Sequence, residues 1–222
     1  MKTMIKGVIF DLDGVLLDSM LIWEDLGARY LRKHGLVPEQ GLNRVLFSMS
    51  MEQGAEYLVG HYPLRLSPSE VLADLRDMLQ NFYFYEVAAK EGAEELLRSL
   101  AAEDIRITAA TSSPREHVTR ALARNGLLPF IEKIFTTSET GTSKHEPDIY
   151  NRAASFMGTR PSETVVFEDS LYALKTAKAA GYAAFGVFDA HGESDQREMQ
   201  RVADVYVTQL CGISASDLSL TS

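Results

Sequence analysis

The 222-residue chain has one cysteine, Cys211. With no second thiol in the chain and no histidine near it at a ligand spacing, a disulfide framework and a thiolate metal site are both excluded, and a reducing, cytoplasmic setting is expected. Positive charge is scarce too: 22 Lys and Arg stand against 31 Asp and Glu, a net charge of −9. The basic residues are scattered, so the chain lacks the cationic face that displaces counterions from nucleic acid, and no nucleic-acid partner is expected. Long apolar runs are missing as well. Val8, Ile9 and Phe10 meet Asp11 before reaching the apolar length of a secretory signal. The weakly polar stretch from Ala179 to Phe188 is about half of the roughly 20 residues that a membrane helix needs. Neither a signal peptide nor a membrane partner is expected. What is present, 45% hydrophobic and 24% charged residues, is the composition of a chain that folds around a core.

Val8-Ile9-Phe10 is a short β-branched and aromatic run ending abruptly in polar residues, the form of a buried parallel strand. Similar runs recur at Ile105 to Ala110, Lys133 to Thr136, Thr164 to Phe167, Ala183 to Val187 and Val205 to Val207. Helical patterns separate them: Glu94 to Leu100, Ser113 to Gly126, Asp148 to Met157 before Gly158, and Ser170 to Ala180 before Gly181. Strand and helix thus alternate from about residue 90 onward, which predicts an α/β fold with a doubly wound, Rossmann-like parallel sheet. About 90 residues separate the first two strands, where a crossover of a few tens suffices. The excess is helical. Ser67-Pro68 caps a segment with Val71, Leu72, Leu75, Met78, Leu79 and Phe82 on one face. Leu21, Ile22, Leu26, Tyr30 and Leu31 mark a second helix, and Met51, Ala55, Leu58 and Val59 a third. The expected organisation is a core of residues 1–16 and 88–222 with an inserted all-helical cap at 17–87, hinges near Val15 to Ser19 and Tyr85 to Gly92, and a tail that frays after Thr208.

Ligands of doubly wound sheets bind beyond the carboxyl ends of the strands. The polar residues following each apolar run therefore belong together: Asp11-Leu12-Asp13-Gly14, Thr111-Ser112-Ser113, a loop ending at Lys144, and Glu168-Asp169-Ser170. Four carboxylates in one crevice raise each other's pKa unless a cation lies among them. Oxygen donors without His or Cys indicate a hard cation, and beside a bound phosphate Mg²⁺ is favoured. Taken singly, each residue has a plainer reading: a turn Asp, an N-cap, a solvated lysine. Their coincidence at successive strand ends carries the inference.

DLDGVLLDS at 11–19, TSS at 111–113, KHEPDIY at 144–150 and EDSLYALKTAKAAG at 168–181 resemble, in order and spacing, the haloacid-dehalogenase-superfamily hydrolases, in the branch with a helical cap that contains β-phosphoglucomutase and many small phosphatases. The resemblance implies a Mg²⁺-dependent phosphatase acting on a small phosphorylated metabolite. Asp11 would attack phosphorus to give an aspartyl-phosphate, and Asp13 would protonate the leaving alkoxide and then activate water. The Thr111 hydroxyl and the Ser112 amide would hold phosphate oxygens, and Lys144 would neutralise charge on Asp11 and the phosphoryl group. Mg²⁺ would sit on Asp11, the Asp13 carbonyl and Asp169, with Glu168 a ligand or one shell out. The chain departs from the family pattern at Ser143 and His145, which replace a Gly and a Pro around the lysine, and at Ala173 in place of a Gly. His145 is read as a solvated loop residue.

Asp13 argues against a dehalogenase, whose halide leaving group needs no acid. Mutases resembling β-phosphoglucomutase carry an arginine in a Gly-x-Ser-Arg cap segment. Here the matching stretch, Leu46 to Met51, has none, Arg44 is the nearest cation, and a phosphatase is preferred. Met49, Met51 and Trp23 are read as packing residues or as the lining of an apolar pocket. A phospho-receiver domain would need only about half this length and no insert.

Overall fold

The computed structural model describes residues 4–47 and 49–218. Contacts divide the chain into two units, Ser19–Val87 and Met1–Asp18 with Ala88–Ser222. Residues 17 and 18, expected with the helical insert, fall in the α/β unit. Leu17 is fully buried and bridges both Asp13 and Ala89, and the Asp18 amide donates to the Ala88 carbonyl at 2.9 Å.

The helical unit comprises α1 (Met20–Lys33), α2 (Leu42–Phe47), α3 (Met51–His61) and α4 (Pro68–Asn81). Two capping boxes start its helices. The Ser50 hydroxyl accepts from the Gln53 amide and the Ser67 hydroxyl from the Glu70 amide, while both N3 side chains reach back to the cap. The α1 face buries Ile22, Leu26, Gly27, Tyr30 and Leu31 against α2 and α4. Leu21, expected on that face, is 43% exposed. It lies about 100° round the helix from Ile22, and Gly27 holds the packing surface instead. A Cβ at Gly27 would stand 2.3 Å from Leu46 Cδ1, so α1 and α2 approach closely here and a side chain at position 27 would make the Leu46 side chain turn away. The six-residue α2 was missed because so short a segment shows almost no apolar period. Residues 82–86 continue α4 as a π-helical turn.

In the α/β unit, β1 (Gly7–Phe10), β2 (Arg106–Thr111), β3 (Lys133–Thr136), β4 (Thr164–Glu168), β5 (Ala183–Val187) and β6 (Val205–Val207) form one sheet in the order β3-β2-β1-β4-β5-β6, with every pairing parallel. Val8, Ile9 and Phe10 have no exposed surface, as a central strand covered on both faces requires. The unit's helices are α5 (Ala93–Ala102), α6 (Arg115–Arg124), α7 (Thr137–Thr140), α8 (Asp148–Met157), α9 (Leu171–Ala179) and α10 (Gln196–Val202). The chain after Thr208 is not frayed as expected. Leu210 and Leu218 are each 1% exposed, and the Ala215 amide donates to Ser99 Oγ at 3.1 Å. Residues 219–222, also in that expectation, lie outside the described residues.

Candidate active site

The strand order reverses at β1, between β2 and β4. Phe10 pairs with Phe167 in register and stacks on its ring at 4.7 Å, and the Asp11 amide donates to the Phe167 carbonyl at 2.9 Å. Asp11 is thereby set beside Glu168 at the adjacent strand end. Beyond Asp11 the chain folds on itself. The amides of Leu16 and Leu17 both donate to the Leu12 carbonyl, and Leu12, Val15, Leu16 and Leu17 are fully buried. Gly14 makes this turn at φ 74°, where a side chain is strained. The apolar letters of DLDGVLL anchor a turn whose polar letters are left facing the crevice.

Lys144 is 3% exposed and donates from Nζ to Asp11 Oδ1 at 2.7 Å and to Glu168 Oε1 at 2.5 Å. The Tyr150 hydroxyl donates to the same Glu168 oxygen at 3.0 Å. Carboxylate oxygens of Asp11, Glu168 and Asp169 lie within 4.8 Å of one another. Asp169 Oδ1 accepts from Ser170 Oγ at 3.2 Å, but its Oδ2 is buried with no hydrogen-bond partner. Three buried carboxylates face one ammonium, so with all three ionised the formal excess is two negative charges. Burial pushes the Asp11 carboxyl well above the usual range, the neighbouring carboxylates add to the shift, and Lys144 opposes it. Burial, then the Glu168 charge, pushes Asp169 up to about 7. Burial also works against the charge on Lys144, yet Asp11 and Glu168 outweigh it and raise its pKa above the ordinary lysine value. An orphaned oxygen, a formal excess of two negative charges and an all-oxygen donor set fit a hard divalent cation.

Asp13 faces a different set of groups. Its Oδ2 accepts from Ser113 Oγ at 2.6 Å and from Thr111 Oγ1 at 3.5 Å, and Thr111 Oγ1 accepts from the Ser113 amide at 3.0 Å. Ser112 is exposed in the turn between β2 and α6.

Asp11, Lys144, Glu168 and Asp169 thus meet in one buried cluster, and Asp13 meets Thr111 beside it. Only the Asp13 side chain stands apart from the carboxylate group within metal-ligand reach. Despite Ser143 and His145, Lys144 reaches its partners. Ser143 turns the loop by taking the Glu146 amide on its carbonyl and the His145 amide on its hydroxyl. His145 is exposed and stacks on Tyr172 at 4.3 Å. Three residues were missed. Ser113 belongs to the TSS motif, and its signal was a third hydroxyl beside Thr111 and Ser112. Tyr150 fits the apolar face of α8, and its signal was the hydroxyl, which needs a partner when buried. Asp189 stands beyond β5, after Phe188; it is 5% exposed and pairs with Lys90 at 2.6 Å.

Residues 5–181 match the family model of the haloacid dehalogenase-like hydrolases. The chain is 28% identical over 190 residues to the validoxylamine A 7'-phosphate phosphatase of Streptomyces hygroscopicus subsp. limoneus, covering 85% of this chain and 88% of that protein. It is 31% identical over 179 residues to hexitol phosphatase A of Escherichia coli K12, covering 79% and 80%. A crystal structure of a HAD family hydrolase from Deinococcus radiodurans R1, with bound phosphate and sodium, superposes with a TM-score of 0.72 at 25% identity, covering 97% of this chain and 94% of that one.

Proposed function

This chain belongs to the haloacid dehalogenase-like hydrolases, and on that premise we propose that it is a Mg²⁺-dependent phosphatase hydrolysing a small phosphorylated metabolite through an aspartyl-phosphate. The observation that carries the reading is the buried Asp11, Lys144, Glu168 and Asp169 cluster, with its unpaired Asp169 oxygen and its formal excess of two negative charges. The phosphatase relatives support the choice of phosphoryl transfer.

Asp11 is the nucleophile. One carboxylate oxygen bonds to phosphorus as the bond from phosphorus to the alcohol oxygen breaks, and Asp13 gives its proton to the departing alkoxide. Asp13 then takes a proton from water, the water oxygen attacks phosphorus, and phosphate leaves Asp11 as a free carboxylate. Ser113 holds the Asp13 carboxyl in place for both transfers. The Ser112 amide and the Thr111 hydroxyl bind non-transferring oxygens. Lys144 offsets charge on Asp11 and on the phosphoryl group. Mg²⁺, held by Asp11, Asp169 and the Asp13 carbonyl, would supply electrostatic stabilisation of the phosphoryl charge. Glu168 serves one shell out, its Oε1 being occupied by Lys144 and Tyr150. The helical unit acts as the cap, and no observation favours a mutase. Part of the stretch read for the mutase arginine, Ser48, lies outside the described residues.

The test is hydrolysis of p-nitrophenyl phosphate with Mg²⁺. Activity is expected to be abolished by EDTA and reduced about a thousandfold or more in Asp11→Asn. Unchanged turnover in that variant sinks the reading.

A further inference from the structure

The helical unit contains a cavity of about 360 Å³, bounded by residues of α1, α2, α3 and α4. That lies in the lower range of small-molecule sites, about 300–1,000 Å³. Its wall is apolar: Trp23, the methionines Met20, Met49 and Met51, and leucines that include Leu46 and Leu58. Among the described residues, Glu24 and Ser50 are the only lining side chains that bear oxygen, and no lysine or arginine lines the cavity. The Ser50 hydroxyl is already taken as the cap of α3, accepting from the Gln53 amide at 3.2 Å. Gly54 keeps one wall bare. A Cβ there would meet only Leu46 Cδ2, at an ordinary 3.7 Å, so a larger side chain would extend into the space.

We propose that this cavity is a binding site for an apolar body, an alkyl or aryl group of about ten heavy atoms with one or two polar groups. The wall excludes the alternatives chemically. A phosphoryl group would find no cation and would face Glu24. A polyhydroxylated body would surrender hydrogen bonds to water that methionine, leucine and tryptophan cannot replace. Unbranched thioethers and one amphipathic indole adapt to apolar ligands of varied shape, so the site selects apolar character more than outline. The body has two possible sources, the alcohol half of a phosphate ester or a separate apolar effector. Both share this chemistry.

Trp23 is the only tryptophan of the chain and is 38% exposed, so fluorescence excited at a wavelength that tyrosine does not absorb reports on Trp23, in the wall of the cavity. Phenylbutanol, titrated into the full-length protein, is expected to shift Trp23 emission saturably, with half-saturation at about millimolar or tighter. Sorbitol, a polyol of similar size, is expected to give no saturable change. Gly54→Leu, which fills the space at a helical position where leucine is favoured, should weaken phenylbutanol binding about tenfold or more. Met49→Gln is a second variant of similar length that makes the wall polar, and it should weaken binding in the same direction. A non-saturable response, equal responses to the two alcohols, or unchanged binding in both variants would overturn the site. Phenylbutanol inhibition competitive with p-nitrophenyl phosphate assigns the alcohol half of a substrate, and any other kinetic pattern assigns an effector. The fluorescence measurement involves no turnover, so it decides on the cavity even if the protein hydrolyses no phosphate ester.

Discussion

The α/β unit and the helical unit bury opposite kinds of interior. At the carboxyl end of its sheet the first encloses Asp11, Lys144, Glu168 and Asp169, all under 10% exposed, in a network where formal negative charge exceeds its compensation. The second lines a pocket with methionines, leucines and the partly exposed Trp23. A charged interior must be held in one geometry, because a small displacement leaves a buried ion unpaired, and short motifs with fixed spacing meet that need. An apolar interior tolerates exchange of similar side chains, and it leaves no motif behind.

The largest expected difference between the two interiors comes from removing the one cation of the first. Lys144→Met leaves Asp11 and Glu168 buried without their ammonium, and denaturant unfolding of the metal-free protein should show a loss of about 3–5 kcal/mol near neutral pH. The loss should shrink towards about pH 5, as the carboxylates take up protons. Leu79→Ala, in the core of the helical unit, should cost about 2–5 kcal/mol and show no such pH dependence. Equal pH profiles for the two variants would erase the contrast.

A smaller effect concerns the wild-type charge excess. The pKa of Asp169 in the fold, about 7, lies above the ordinary carboxyl value of 3.8, so the folded state binds the proton more tightly than the unfolded chain does. Below the unfolded pKa both states are protonated and there is no penalty. As pH rises from there to the folded pKa, only the unfolded chain ionises and stability is lost, after which the loss stays constant. The melting temperature of the chelated protein should therefore fall between about pH 4 and pH 7, and Mg²⁺ should raise it more at the higher pH. An equal Mg²⁺ shift at both values would argue against a cation among these carboxylates.

The sheet was legible because β1 to β6 are apolar runs that end abruptly, and the rule of reading the residues just beyond each run brought Asp11, Thr111, Lys144 and Glu168 together. Asp189 stands one residue further beyond its strand, after Phe188, and so lies outside a reading confined to the residues directly following each apolar run. Tyr150 was hidden by its place on the buried face of α8, where a phenol counts as apolar until its hydroxyl is asked for a partner. In the helical unit, α1, α3 and α4 followed from caps and periodicity. The six-residue α2 and the exposure of Leu21 did not, because so short a segment shows almost no apolar period, and which side of α1 packs on α2 and α4 is set by contacts between segments that no local pattern encodes.

The most direct test of the central claim, that Asp11 is the group that accepts phosphorus, is chemical trapping. The protein is mixed with p-nitrophenyl phosphate and Mg²⁺, quenched in acid within the first turnover, reduced with borohydride and digested for mass spectrometry. The expected result is reduction of the residue 11 carboxyl to the corresponding alcohol, dependent on substrate and Mg²⁺ and absent from Asp11→Asn. Turnover with an adduct on another residue, or with residue 11 unmodified, would contradict it.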